Sequence, residues 1–224
     1  MITSLILVRH GQTEHNVAGL TAGWTDSPLS EFGRIQTQVV ATHIATTYKL
    51  DALYASPLQR AYETACAIGA IVGLEPVTDL DLREQNFGDV EGLTIEEANA
   101  KFPDLSRAAK AVEDLMFTWP NGEMRSDFYE RVVRVHARIL DDHRGGTVCV
   151  VSHGGVIGAY VAGIEEGKAY LWRKYLVDNC SVTVVTDEDG KLAVSLYNDV
   201  SFLPERPRDR LTSSLREAGL PGER

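Results

Sequence analysis

The sequence predicts an α/β fold with a mainly parallel central sheet and helices on its faces. Three observations carry that expectation. Two short apolar runs, "LILV" at residues 5–8 and "TVCVV" at 147–151, read as buried strands. Stretches with helical periodicity lie between them, so strands alternate with helices. Both runs also end alike, in a histidine followed by glycine: His10-Gly11 and His153-Gly154. Open sheets of this class bind ligands beyond the carboxyl ends of their strands. If the two strands are neighbours, both imidazoles face one crevice.

Taken in order, Ser4–Val8 is the first strand and residues 30–48 carry a broad apolar stripe that suggests a helix. Ala52–Ala55 reads as a short strand. A helix follows, entered at Ser56-Pro57, where serine caps free N–H groups and proline fits the first turn; Gly73 ends it. Residues 95–143 read as mostly helical, with Phe128, Val132, Val135 and Ile139 on one face. The turn Arg144-Gly145-Gly146 leads into the second apolar run. "SVTVVT" and "LAVSLY", joined by "DEDGK", look like a late hairpin. From Pro204 the chain turns charged and proline-bearing, which suggests a loosely held tail over 204–224. The remainder, 1–203, reads as one domain.

The chain has 224 residues, 44% apolar and 24% charged, with a net charge of −10. That acidic balance, with no block of Lys and Arg, argues against a nucleic-acid or anionic-membrane partner. Any anion must be held by a local focus of positive charge. Cys66, Cys149 and Cys180 form no CxxC, so reduced thiols and a cytoplasmic setting are expected. No signal peptide is read at the N-terminus, and no apolar stretch approaches the ~20 residues of a membrane span. A homodimer is the base-rate expectation.

Five segments occur in order: "LVRHGQTEHN", "AGWTDSPLSEFG", "YASPLQRAYETA", "LREQNFGDVEG" and "VVSHGG". Together they resemble the histidine phosphatase superfamily, which includes the cofactor-dependent phosphoglycerate mutases, from about Ile2 to Leu203. The resemblance implies a three-layer sandwich of phosphoglycerate mutase-like fold, with a small helical cap inserted at about 95–125. It also implies a phosphomonoesterase that needs no metal and no cofactor, acting on a small phosphorylated metabolite.

The residues suit that chemistry. A phosphate monoester carries close to two negative charges, so its attack needs neutralising cations and an in-line nucleophile. A neutral imidazole is such a nucleophile near pH 7, and His10 is the candidate, forming a phosphohistidine. Arg9 and Arg60 offer planar forks to phosphoryl oxygens; both match phosphate-pocket positions of the family. His153 matches the second family histidine, expected to hydrogen-bond the phosphoryl group, as imidazolium if protonated. Gly154 leaves room for close backbone approach. Asn16 matches a phosphate-contacting polar residue, with a helix cap as its alternative role. Gly23 and Trp24 are candidate substrate contacts. One carboxylic acid can protonate the leaving alkoxide and later deprotonate water. Glu84 matches the family's acid, with Asp89 and Glu91 as nearby competitors. Phe117, Trp119 and Arg107 are either pocket-shaping or, for the aromatics, core. No HExxH or close His/Cys/Asp cluster suggests a metal.

The pattern departs in places. Ala22 stands where family members carry a hydrogen-bonding side chain, His15 where tryptophan is frequent, and Met124 in "NGEMRS" where serine is usual. Glu84 and His153 are 69 positions apart, and the proline-rich segment that the mutases carry between them is absent. A shorter cap opens the phosphoenzyme to water, which favours hydrolysis. A 2,3-bisphosphoglycerate-dependent phosphoglycerate mutase is the alternative. A catalytically silent regulatory protein ranks last, since His10, Arg9, Arg60, Glu84 and His153 are all present.

Overall fold

A computed structural model describes residues 1–205; the expected tail lies, but for Pro204 and Glu205, outside the described residues. The chain forms β1 (Ile2–Arg9), α1 (Glu14–Ala18), α2 (Glu31–Thr47), β2 (Ala52–Ala55), α3 (Gln59–Val72) and β3 (Val77–Thr78). It continues through α4 (Ile95–Lys101), α5 (Pro103–Ala108), α6 (Arg125–Asp142), β4 (Thr147–Ser152), α7 (Gly154–Glu166), β5 (Val182–Glu188) and β6 (Lys191–Asp199). The sheet order is β3-β2-β4-β1-β5-β6. The first four strands are parallel, and the β5–β6 hairpin adds an antiparallel edge.

The two apolar runs are central because both of their faces are covered. Leu5, Leu7, Val148 and Val150 pack with Phe128, Val132, Val135 and Ile139 of α6 and with Val156 and Ile157 of α7. Ile6, Val8, Cys149 and Val151 point the other way, into Val40 and Ile44 of α2 and Ala61, Ala65 and Ile68 of α3. Alternation with period two thus splits each strand between two cores, giving helices, sheet and helices in three layers. The four α6 residues expected on one face are all fully buried.

One local reading needs correction. The helix after β2 begins at Gln59, not at Ser56-Pro57, and its N-cap is Leu58, without a side-chain cap. Asp26 Oδ1, from the loop between α1 and α2, accepts the Gln59 N–H at 2.9 Å instead. Ser56 does accept the Leu58 N–H, at 3.3 Å, but its hydroxyl is drawn into the site described below. Residues 95–143 are mostly helical, as expected, through α4, α5 and α6, and residues 109–124 follow an irregular path between α5 and α6. Arg125 explains this: it donates to the carbonyls of Ala109, Ala111 and Asp114, which fixes a loop rather than a helix.

Candidate active site

Strands β1 and β4 are parallel neighbours, with Arg9 opposite Ser152. The next residue of each strand is therefore His10 and His153, and their rings meet with centroids 5.1 Å apart and planes tilted by 58°. Both are buried. Burial, then Arg60, then Arg9 push the pKa of His10 well below its ordinary 6.5, so it is held neutral. Its Nδ1 lies 2.8 Å from the Gly11 carbonyl oxygen. A carbonyl only accepts, so Nδ1 carries the proton and Nε2 keeps its lone pair.

His153 is anchored through the other nitrogen. Its Nε2 is 2.7 Å from Ser56 Oγ, while Nδ1 is buried with no protein partner. Burial, then Arg60 and His10, lower its pKa as well, which favours the neutral imidazole. A bound phosphate dianion would pull in the opposite direction.

Two guanidinium groups face this pair. Arg60, on the first turn of α3, is 1% exposed, and donates to Gly23 O at 2.7 Å and Thr25 O at 3.1 Å. Its nearest carboxylate, Asp26, is 3.9 Å away. Burial pulls its pKa down, while Glu84 and Asp26 push it up. Arg9 is buried at the end of β1 and donates to Val177 O at 2.7 Å. The site thus concentrates cations in a protein of net charge −10, as an anion site in an acidic background requires.

Glu84 closes the other side. Its Oε2 accepts the Gly155 N–H at 2.9 Å, at the start of α7, and its Oε1 accepts the Gln85 N–H at 2.9 Å. A Cβ on Gly155 would collide with this carboxylate, so the second glycine after His153 is needed for Glu84 to dock. Its competitors are otherwise engaged. Glu91 accepts from the backbone N–H groups of Trp24, Thr25 and Phe87 and from the Thr25 hydroxyl, clamping the loop around Gly23. Asp89 is exposed and accepts from Asn121.

The remaining candidates divide. Gly23 has φ +54° and gives its carbonyl to Arg60; a Cβ there would strike Glu91. Trp24 donates from Nε1 to the Glu84 carbonyl at 2.7 Å and lies under the Arg83 guanidinium. Asn16 takes its alternative role too: Oδ1 completes the α1 capping box with Thr13 and accepts from Asn179. Among the described residues no hydrogen bond engages its Nδ2. Gly154 opens α7, with Arg9 at 3.5 Å from where its Cβ would sit. Phe117 and Trp119 line a cavity under the cap, whereas Arg107 is exposed and pairs with Asp104.

Sequence reasoning missed Ser56 as a partner of His153, and it missed Arg131. Arg131 donates to Glu123 with two nitrogens and to the carbonyls of Asp81, Arg83 and Glu84, so it fixes the backbone that carries the acid. The available signal was a charge three residues after Phe128, on the apolar face of α6.

Among the described residues no cluster of His, Cys, Asp and Glu would hold a metal, and no helix is long and apolar enough to cross a membrane. A family model described as histidine phosphatase superfamily (branch 1) matches residues 5–200. The chain is 36% identical over 203 residues to phosphoglycerate mutase-like protein 4 of Arabidopsis thaliana, covering 90% of this chain and 87% of the relative. It is 32% identical over 203 residues to the metal-independent phosphoserine phosphatase of the same plant (90% and 84%). It spans 55% of the bifunctional protein Rv2228c of Mycobacterium tuberculosis, about half its length, at 36% identity. Among solved structures, Bacillus stearothermophilus YhfR superposes with a TM-score of 0.83 at 31% identity, over 90% of this chain and 100% of that one.

Proposed function

The chain belongs to the histidine phosphatase superfamily and is a phosphomonoesterase of that class; we propose that it hydrolyses a small phosphorylated metabolite through a phosphohistidine on His10. One observation carries the assignment of roles: two neutral imidazoles in contact, anchored through opposite nitrogens, beneath two buried guanidinium groups.

In this reading Arg9 and Arg60 take the phosphoryl oxygens, helped by Asn16 Nδ2 and the Gly154 amide that opens α7. His10 Nε2 attacks phosphorus in line, and the ester P–O bond breaks. Glu84, protonated, gives its proton to the leaving alkoxide. As a carboxylate it then takes a proton from water, whose oxygen attacks phosphorus and frees His10 and inorganic phosphate. Ser56 Oγ accepts from Leu58 N–H and turns its own proton to His153 Nε2. His153 therefore bears its proton on Nδ1 and donates it to a phosphoryl oxygen.

The guanidinium groups supply the charge neutralisation, and His153 a hydrogen bond, where a metal acts elsewhere, in keeping with the relative named metal-independent. A cytoplasmic setting accords with three free cysteines, two of them buried. The test is turnover of p-nitrophenyl phosphate in excess EDTA, with release of inorganic phosphate. A requirement for added metal overturns the reading. Isomerisation of 3-phosphoglycerate in the presence of a bisphosphorylated primer, faster than phosphate release, makes the chain a mutase instead.

A further inference from the structure

The nucleophile depends on one carbonyl. His10 keeps its Nε2 lone pair because Nδ1 donates to the Gly11 oxygen at 2.8 Å. Gly11 is glycine for reasons of space: a Cβ there would sit 2.6 Å from Thr37 Oγ1 and 2.8 Å from the Gly33 carbonyl oxygen, both of α2. A glycine backbone is also the easiest to rotate. If the Gly11 carbonyl swings away, the ring loses the partner that keeps its proton on Nδ1.

The backbone on both sides of Gly11 is held by side chains from other elements. The peptide between His10 and Gly11 is gripped at both edges. Its N–H donates to Thr64 Oγ1 of α3 at 3.1 Å. Its carbonyl accepts from Asn179 Nδ2 at 3.0 Å and from the Cys180 N–H at 3.3 Å, just ahead of β5. The peptide between Gly11 and Gln12 is held at the edge that His10 does not use. There the Gln12 N–H donates to Gln36 Oε1 of α2 at 3.0 Å. Gln36 is 1% exposed and Thr64 is fully buried. Burying an amide and a hydroxyl is costly unless their bonds are made.

These bonds go beyond what the helices need. Thr64 donates its own proton to the Arg60 carbonyl at 2.8 Å, four residues back, as helical threonines can. The bond from Gly11 is additional, and it ties the loop of the nucleophile to the turn that carries Arg60. Gln36 closes a chain of hydrogen bonds. The Gln12 N–H and the Gly11 carbonyl belong to one peptide, so Gln36, that peptide and the His10 ring polarise one another in sequence. This neutral chain stands where a carboxylate stands behind the histidine of a Ser-His-Asp triad.

We propose that Gln36 and Thr64 are positioning residues for the nucleophile. They pin the two peptides that flank Gly11 and so hold His10 in its Nδ1–H form, with Nε2 free to attack. This rests on the phosphatase reading and adds to it the device that prepares the attacking atom.

The experiment follows the first chemical step. Gln36→Met and Thr64→Val each remove an acceptor at nearly constant volume, and Thr64→Ser keeps the hydroxyl. Rapid acid quench with p-nitrophenyl phosphate gives the rate of phosphoenzyme formation. Gln36→Met and Thr64→Val are expected to slow it by about 10- to 100-fold, the cost of a misaligned attacking group, with little change in the Ki of inorganic phosphate. Thr64→Ser is expected to recover most of the rate. Long-range proton–nitrogen NMR on histidine-labelled protein reads the ring itself, with His10→Ala identifying its signal. The wild-type ring is expected in the Nδ1–H form, and the two slow variants in a mixture with the Nε2–H form. A wild-type ring in the Nε2–H form overturns the proposal before any variant is made. So does an undiminished rate in either Gln36→Met or Thr64→Val, or a Thr64→Ser as slow as Thr64→Val. A slowing matched by an equal rise in the Ki of phosphate, with the ring signal unchanged, means that the two residues only support the fold and overturns it too. Failure of the underlying phosphatase reading looks different: the wild-type protein forms no phosphoenzyme and releases no phosphate, while the ring signals of wild type and variants still decide whether the two residues hold the tautomer.

Discussion

His10 and His153 end neighbouring parallel strands with the same local sequence, yet they are wired in opposite ways. His10 is tied by its proton-bearing nitrogen to its own chain, at the Gly11 carbonyl. That bond leaves a lone pair facing the arginines. His153 is tied by Nε2 to Ser56, 97 positions away. That bond leaves Nδ1, inside the protein and without a partner. In the proposed mechanism the local anchor suits a nucleophile and the long-range anchor suits a donor. The strand-His-Gly pattern delivers an imidazole to the crevice; the hydrogen bond behind the ring decides what it does there.

The most severe way to break this comparison is to remove one ring at a time. His10→Ala takes away the attacking atom and is expected to lower kcat on p-nitrophenyl phosphate by about 10⁴-fold or more, with no phosphoenzyme trapped by rapid acid quench. His153→Ala removes one donor to the transferring group. It is expected to cost about 10²- to 10³-fold in kcat while a phosphoenzyme still forms slowly. Equal losses and equal absence of phosphoenzyme would mean that the rings are not assigned distinct tasks. Ser56→Ala sharpens the point, because of the two rings Ser56 is hydrogen-bonded only to His153. A loss of about tenfold in kcat with little change in KM is expected, restored by Ser56→Thr. A loss as deep as that of His153→Ala would put the hydroxyl itself on the phosphoryl group.

The same contrast explains what was legible in the sequence. β1 and β4 were readable because β-branched and leucine side chains run unbroken, which only a strand covered on both faces permits. Their pairing stayed a condition at the level of sequence; in the structure they are parallel neighbours, and residues 10 and 153 meet. Arg60 was placed by the resemblance, which matches it to a phosphate-pocket position. Ser56 was misjudged because Ser-Pro before an apolar stripe has the signature of a helix cap, and nothing nearby reveals a histidine 97 positions on. Glu84 and Glu91 share one short segment and one residue type. Only the loop carried by Gly23, which surrounds Glu91 with N–H donors, separates them. The cap loop was unreadable for a similar reason: Arg125 holds it through backbone carbonyls, which every residue has.

A third buried histidine provides the smallest test and the best control. His136, on α6, is anchored like His10: its Nδ1 donates to a carbonyl, that of Val132, at 2.7 Å, and its Nε2 has no partner. It stacks on Tyr160 with ring centroids 4.0 Å apart, and no arginine stands among the charges acting on it. If anchoring alone made a nucleophile, His136 would qualify; the cations around His10 are what it lacks. Its effect should appear in stability instead. Burial, opposed by the Val132 bond and Asp79, lowers its pKa from 6.5 to about 4. Above pH 6.5 neither the folded nor the unfolded chain protonates it, and it costs nothing. Between pH 6.5 and about 4 the unfolded chain binds a proton that the folded chain refuses, so stability falls as pH falls, then levels off. The ceiling of that loss is about 3 kcal/mol. His10 and His153 add slope of the same sign, so the measurement is a difference: urea midpoints of wild type and His136→Phe at pH 7.5 and pH 5. The phenylalanine variant should keep its activity at pH 7.5 and lose less stability on acidification. An unchanged pH slope would mean that His136 protonates freely in the folded protein, and that burial without cations does not hold an imidazole neutral here.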